Sequence, residues 1–110
     1  GMSVIVNAPA AYRFTASGCP DRHLEGAGLL GADTREVVAA DSGEILAQQL
    51  QQMMCATDMP NGIGGVGFTS SQVPGLAQAA ALQQRLLSVA PRPVSDQDLH
   101  DLYHDALSYW

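Results

Sequence analysis

Leu99, Leu102, Tyr103, Ala106, Leu107 and Trp110 recur at i, i+3, i+4, i+7, i+8 and i+11. That spacing gathers all six on one face of an α-helix and scatters them over both faces of a strand. The local chemistry agrees. Ser95 can cap the free amides of the first turn, Asp96 and Asp98 suit the positive end of the helix dipole, and Pro91 and Pro93 hold the approach extended. The predicted last helix therefore runs from Ser95 toward Trp110.

The same reasoning yields four more helices. From about Ser42 to Thr57, Ile45, Leu46, Leu50, Met53 and Met54 form a stripe opposite Gln48, Gln49, Gln51 and Gln52, with Asp41 and Glu44 at capping-box spacing. Pro60-Asn61-Gly62 closes that region in a turn. Thr69 and Gln72 are a second capping box, with Pro74 tolerated in the first turns and Leu76, Ala79, Ala80 and Gln83 on one side. Small residues at 77, 79, 80 and 81 would let another helix approach closely. Pro20 and Asp21 open a shorter helix with Leu24, Ala27 and Leu30 inside, ended by Gly31. Met2 to Ala16 begins with β-branched residues, yet its length and Ala-rich continuation predict a helix kinked at Pro9. The expected fold is all-α, five helices in one domain over residues 1–110.

Charge excludes some partners. The formal net charge is −6, Lys is absent, and five arginines (Arg13, Arg22, Arg35, Arg85, Arg92) are scattered. No basic patch could neutralise several phosphates, so nucleic acid is not an expected partner, and the acidic surplus weakens attraction to anionic lipid. No apolar run approaches the roughly 18 residues of a membrane span. The sparse charge leaves little to cover a lone surface, which suggests a partner or an oligomer. Cys19 and Cys55 form no CxxC pair and read as buried free thiols of a cytoplasmic chain.

Few residues carry a chemical signature. Gly62, Gly64 and Gly67 spell G-x-G-x-x-G, but a helix precedes them and no acid follows at ribose-binding distance, so a flexible helix–helix connection is expected. His100 and His104 stand one turn apart, as metal-binding imidazoles do, but lie off the apolar stripe beside Asp101 and Asp105. Solvated rings open to adventitious nickel or zinc are expected there. His23, beside Arg22 and Glu25, reads as a surface or capping histidine. Arg92, between prolines, is expected to anchor its loop to the last helix. Arg85, in LQQRLL, could grip a substrate carboxylate with two hydrogen bonds or tie down carbonyls at a helix end.

Three phrases carry more information together than any of these motifs: GMSVIVNAPAAYRFTA, CPDRHLEGAGLLGADTR and MPNGIGGVGFTSSQVPGLAQAAALQQRLLSVAPRPVSDQDL. In that order and spacing they resemble the C-terminal part of the iron-containing alcohol dehydrogenase family, above all its hydroxyacid–oxoacid transhydrogenase branch. The resemblance implies a helical domain that follows an α/β nucleotide-binding domain. It implies iron or zinc held by an Asp and three histidines, with NAD or a bound nicotinamide as hydride carrier. The last of those histidines lies in a P-H-G phrase whose glycine corresponds to Gly1. None of His23, His100 and His104 matches a family ligand, so no metal, catalytic or cofactor-binding residue is inherited. Gly62, Gly64 and Gly67 fall on a helix connection, where Gly64 departs from the usual pattern. Arg85 matches the arginine of the Q-Q-R phrase.

The resulting expectation is a truncated or stand-alone C-terminal domain, inactive by itself and needing no cofactor. Its expected partner is a second copy or a nucleotide-binding domain. The alternatives are a subunit of a split NAD- and metal-dependent oxidoreductase, or an interaction module that reuses the scaffold.

Overall fold

The β-branched start of the chain folds as a helix. In a computed structural model that describes every residue from Gly1 to Trp110, α1 spans Met2–Thr15 and passes through Pro9. Proline has no N–H to donate and strains its own helical turn. Beside that gap the helix is braced by a side chain from the far end of the chain. The Tyr109 hydroxyl donates to Val6 O at 2.8 Å and accepts from Ala10 N–H at 3.4 Å. It thus sits astride the helical rung nearest Pro9.

The remaining helices are α2 Pro20–Leu29, α3 Ser42–Ala56, α4 Val73–Ala81, α5 Gln84–Leu87 and α6 Asp96–Asp105. The expected all-α class and five long helices are present, and α5 is an additional single turn. The chain bends between α4 and α5 at Gln83, whose ψ is 54°. No strand forms. Helix α3 packs on α1 and α2, α4 packs on α6, and contacts between α1 and α6 join the two groups. The molecule is a slab of 40 × 32 × 20 Å. Twenty ångströms is about two helix diameters, so most side chains keep one side in water and only 18 of 110 residues are buried. Val6, Ala10, Ile63 and Ala106 form the central cluster, with Leu76, Leu102, Tyr103 and Tyr109 packed around it.

Two predicted caps hold and one does not. Ser95 accepts from Asp98 N–H at 3.0 Å while Asp98 accepts from Ser95 N–H at 2.9 Å. These bonds hold the Asp98 carboxyl below the ordinary carboxylate range, the backbone N–H contributing most. Thr69 and Gln72 close their box around a 3-10 turn that leads into α4. Asp41 makes no side-chain cap to α3. Glu44 is drawn away by Arg13, whose Nε donates to Oε2 at 2.6 Å and Nη2 to Oε1 at 3.1 Å. A two-pronged guanidinium is the stronger partner for a carboxylate.

Several predicted faces are rotated by long-range bonds. Gln49 and Gln51 are not on a wet side: Gln49 donates to Leu30 O at 2.8 Å, and Gln51 donates to Tyr109 O at 3.3 Å. Met53 turns outward instead, 44% exposed. On α4 the inner line is Val73 and Ala77, while Ala79, and Gln83 just beyond the helix, face solvent. Small Ala77 lies between α4 and α6, as a close approach requires. Cys55 is exposed and Cys19 half-buried, both free thiols.

The largest departure is at the end of α6. The helix stops at Asp105, and Trp110 is 50% exposed instead of completing the stripe. The backbone of the glycine-rich loop ends it. Ile63 N–H donates to Ala106 O at 2.8 Å and Gly64 N–H to Leu107 O at 2.9 Å. Asn61 Oδ1 accepts from Tyr109 N–H at 2.6 Å and from Trp110 N–H at 3.2 Å, while its amide donates to Trp110 O. Carbonyls left free at a helix end need such donors, and here a distant loop supplies them. The loop is therefore a tight clamp and not the flexible connection expected. A Cβ on Gly62 would collide with Ala106 O and stand 2.8 Å from Leu107 O, and Gly62 also has a φ of +70°.

Gly62→Ala should cost about 2–4 kcal/mol, combining strain at positive φ with loss of the clamp. Gly75→Ala, in α4 with open space around the new methyl, should be neutral or stabilising by up to about 1 kcal/mol. Urea denaturation of the two variants checks the contrast.

Burial raises the Tyr109 hydroxyl above its ordinary value of 10.0. The unfolded chain loses that proton first, so the contribution to stability is complete below about pH 10. It disappears as pH rises through the folded value. Tyr109→Phe should cost about 1–2 kcal/mol at neutral pH, and melting curves should show a shallower fall above pH 10. At the acid end, Arg13 holds Glu44 below its ordinary 4.5. That contribution is present above 4.5 and fades as pH falls through the folded value.

Candidate functional site

The one cluster of chemically versatile side chains lies where α2 leaves α1. Pro20 starts α2 with its fixed φ, and Cys19 precedes it as the N-cap residue. One turn on, His23 points inward and is 6% exposed. This corrects the surface or capping role expected of it: His23 and Ala27, four apart, form the inner line of α2, with Leu24 and Leu30 half-buried beside them.

His23 has both ring nitrogens engaged. Nδ1 is 2.9 Å from Cys19 O, and Nε2 is 2.8 Å from Thr15 Oγ1. A carbonyl can only accept, so Nδ1 carries the hydrogen, and in the neutral ring Nε2 accepts from the Thr15 hydroxyl. Cys19 Sγ, at 3.5 Å from Nδ1, is a secondary contact. Tyr12 meets the ring edge-on with centroids 5.6 Å apart. With its nitrogens satisfied inside the fold, His23 is a structural tie between α1 and α2 with no free base to offer a substrate. An open cleft of about 440 Å³ lies beside it, between α2 and α3.

Arg85 is elsewhere, on α5, and it is exposed. No ion pair forms at its guanidinium, and its local bond is the carbonyl accepting from Ser88 Oγ at 2.8 Å. Leu82, Leu86 and Val89 around it are 79%, 64% and 80% exposed. Arg85 is thus a free cation on an apolar surface and does not tie down helix-end carbonyls.

Arg92 stacks on the Phe14 ring at 4.0 Å and donates to Phe14 O at 3.3 Å. It anchors its loop to the end of α1, not to the last helix as expected. The flat guanidinium suits an aromatic face.

His100 lies 3.9 Å from Asp101, and His104 is exposed. No group of three or more His, Cys, Asp or Glu residues converges to hold a metal. The amides of Ile63 and Gly64 are spent on the end of α6 and face no phosphate. The residues of this chain by themselves therefore do not gather into a donor set for the metal that the sequence resemblance implies. No helix is long and apolar enough to cross a membrane.

No profile of a known protein family matches the chain. Individual proteins do. The mitochondrial hydroxyacid-oxoacid transhydrogenases of Pongo abelii and Homo sapiens are 37% and 36% identical to it over 110 residues. A probable mitochondrial hydroxyacid-oxoacid transhydrogenase of Dictyostelium discoideum is 33% identical over the same length. Each match covers all of this chain but only 24% of the first two relatives and 20% of the third. The chain thus spans about a quarter of their length. Its fold superposes on 1,3-propanediol oxidoreductase with a TM-score of 0.84 at 18% identity, covering 96% of this chain and 28% of that one. Along its whole length the sequence is thus similar to part of the hydroxyacid-oxoacid transhydrogenases, and its helical arrangement matches part of 1,3-propanediol oxidoreductase.

Proposed function

We propose that this chain is a helical portion of an oxidoreductase that moves a hydride between small hydroxyacids and oxoacids, and that it turns over nothing by itself. The match to hydroxyacid-oxoacid transhydrogenases along its entire length carries this reading. Hydride transfer needs a carrier and a group that steadies the alkoxide oxygen. In this reading both come from a nucleotide-binding partner, on the same polypeptide or on another. The contribution of this chain is a wall of the substrate cleft.

Arg85 is the residue assigned to substrate. It is unpaired, and a guanidinium grips a carboxylate through two parallel hydrogen bonds. The exposed Leu82, Leu86 and Val89 give the partner an apolar surface to seat against. Alone, the chain would cover that surface by self-association.

The chain with stoichiometric iron, NAD and a short-chain hydroxyacid should show no turnover, and calorimetry should show no heat with NAD. Steady turnover by the unaided chain would overturn the reading. Mixed with the nucleotide-binding segment of a transhydrogenase, it should complex and gain activity. Light scattering of the chain alone at micromolar concentration should report a species larger than a monomer.

Arg85→Gln should leave stability within about 0.5 kcal/mol. In the complete enzyme it should raise KM for the hydroxyacid at least about tenfold with a smaller change in kcat, as loss of ground-state binding does. Arg85→Lys should not restore the two-pronged grip. An unchanged KM in both variants would remove Arg85 from the site.

A further inference from the structure

The cleft between α2 and α3 does not include Arg85, and it has the make-up of a ligand site. Its volume of about 440 Å³ lies within the range of small-molecule pockets, roughly 300–1,000 Å³. Leu29, Leu30, Leu46 and Leu50 line it, and Leu29 stands 81% exposed. An apolar side chain left that open marks a surface that gains from being covered.

One charged group lines the same cleft. Arg13 is paired with Glu44, Arg35 with Asp33, and Arg92 with the Phe14 ring and carbonyl. Arg22 has no such partner and belongs to the cleft wall. Glu25 lies one turn along α2 but forms no ion pair with it. An unpaired guanidinium next to an apolar hollow calls for a ligand with one anionic end and one hydrocarbon end. The wall histidine, His23, has both nitrogens spent on Thr15 and Cys19. The site is therefore suited to binding and not to chemistry.

We propose that this cleft binds a medium-chain monocarboxylic acid, its hydrocarbon chain against Leu29, Leu46 and Leu50 and its carboxylate on Arg22. The protein carries a net charge of −6, so attraction for the acid depends on this local cation and weakens with salt. Each methylene buried tightens binding about fourfold until the cleft is full.

Cys19 and Cys55 provide a test within one molecule. Cys19 lines the cleft, whereas Cys55 is exposed elsewhere on α3. Decanoate should slow alkylation of Cys19 by iodoacetamide saturably at sub-millimolar concentration and leave Cys55 unaffected. Hexanoate should need a higher concentration, and decanol should protect far less. Arg22→Gln, an exposed substitution, should weaken decanoate protection about tenfold. Gly26→Leu should abolish it while the helical fold is retained, because a Cβ at Gly26 meets Leu46 Cδ1 at an ordinary 3.7 Å. Equal protection of both thiols, no protection at millimolar decanoate, or protection unchanged by Arg22→Gln would each overturn the proposal.

Discussion

The carbonyls that α6 leaves unpaired at its end govern the arrangement of the molecule. Ile63 and Gly64 supply backbone donors to Ala106 and Leu107, and Asn61 accepts from the amides of Tyr109 and Trp110. With the chain turned out of the helix there, Tyr109 reaches α1 and bonds Val6 and Ala10 beside Pro9. Gln51 of α3 donates to the Tyr109 carbonyl, and Arg13 of α1 donates to Gln51. Three helices and one loop are thus locked around a few polar groups that apolar contact alone would not place in register. The apolar centre of Val6, Ala10, Ile63 and Ala106 lies beneath this knot. A slab this thin buries few side chains, so directional bonds carry a larger share of specificity than in a thicker domain.

What sequence could and could not reveal divides along interaction range. Helix starts were legible because Ser95 and Thr69 act on amides within one turn and Pro20 fixes its own φ. Faces were less legible. Periodicity predicted Trp110 inside and Gln51 outside, and hydrogen bonds spanning 49 and 58 residues reversed both. The Asp41–Glu44 box failed for the same reason, since an arginine 31 residues away outcompeted a local cap. His23 was misread because polar neighbours, Arg22 and Glu25, suggested a wet position. The spacing of His23 and Ala27 at i and i+4 was the available signal for an inner line. The role of Gly62 and Gly64 was hidden, because close approach to a carbonyl more than forty residues on leaves no mark near the glycines.

The candidate chemistry divides in a similar way. Arg85 could be picked out from its apolar neighbours, and the structure gives it an exposed, unpaired position. The Arg22 cleft could not be picked out, because its walls come mainly from α2 and α3, elements on either side of a twelve-residue connection, with Tyr12 of α1 added. The two unpaired arginines thus sit on separate surfaces, one beside exposed Leu86 and one on a concave wall. The two proposals can succeed or fail independently.

Helix α5 contributes no buried residue, and the bend at Gln83 separates it from α4. Gln84, Arg85 and Leu86 are exposed, and only Leu87 is half-buried, so replacing these side chains disturbs little of the packed interior. Under the proposed role of Arg85, natural variation in this turn would be filtered by recognition more than by packing. A lineage could exchange one acid for another there while the architecture beneath stayed as it was.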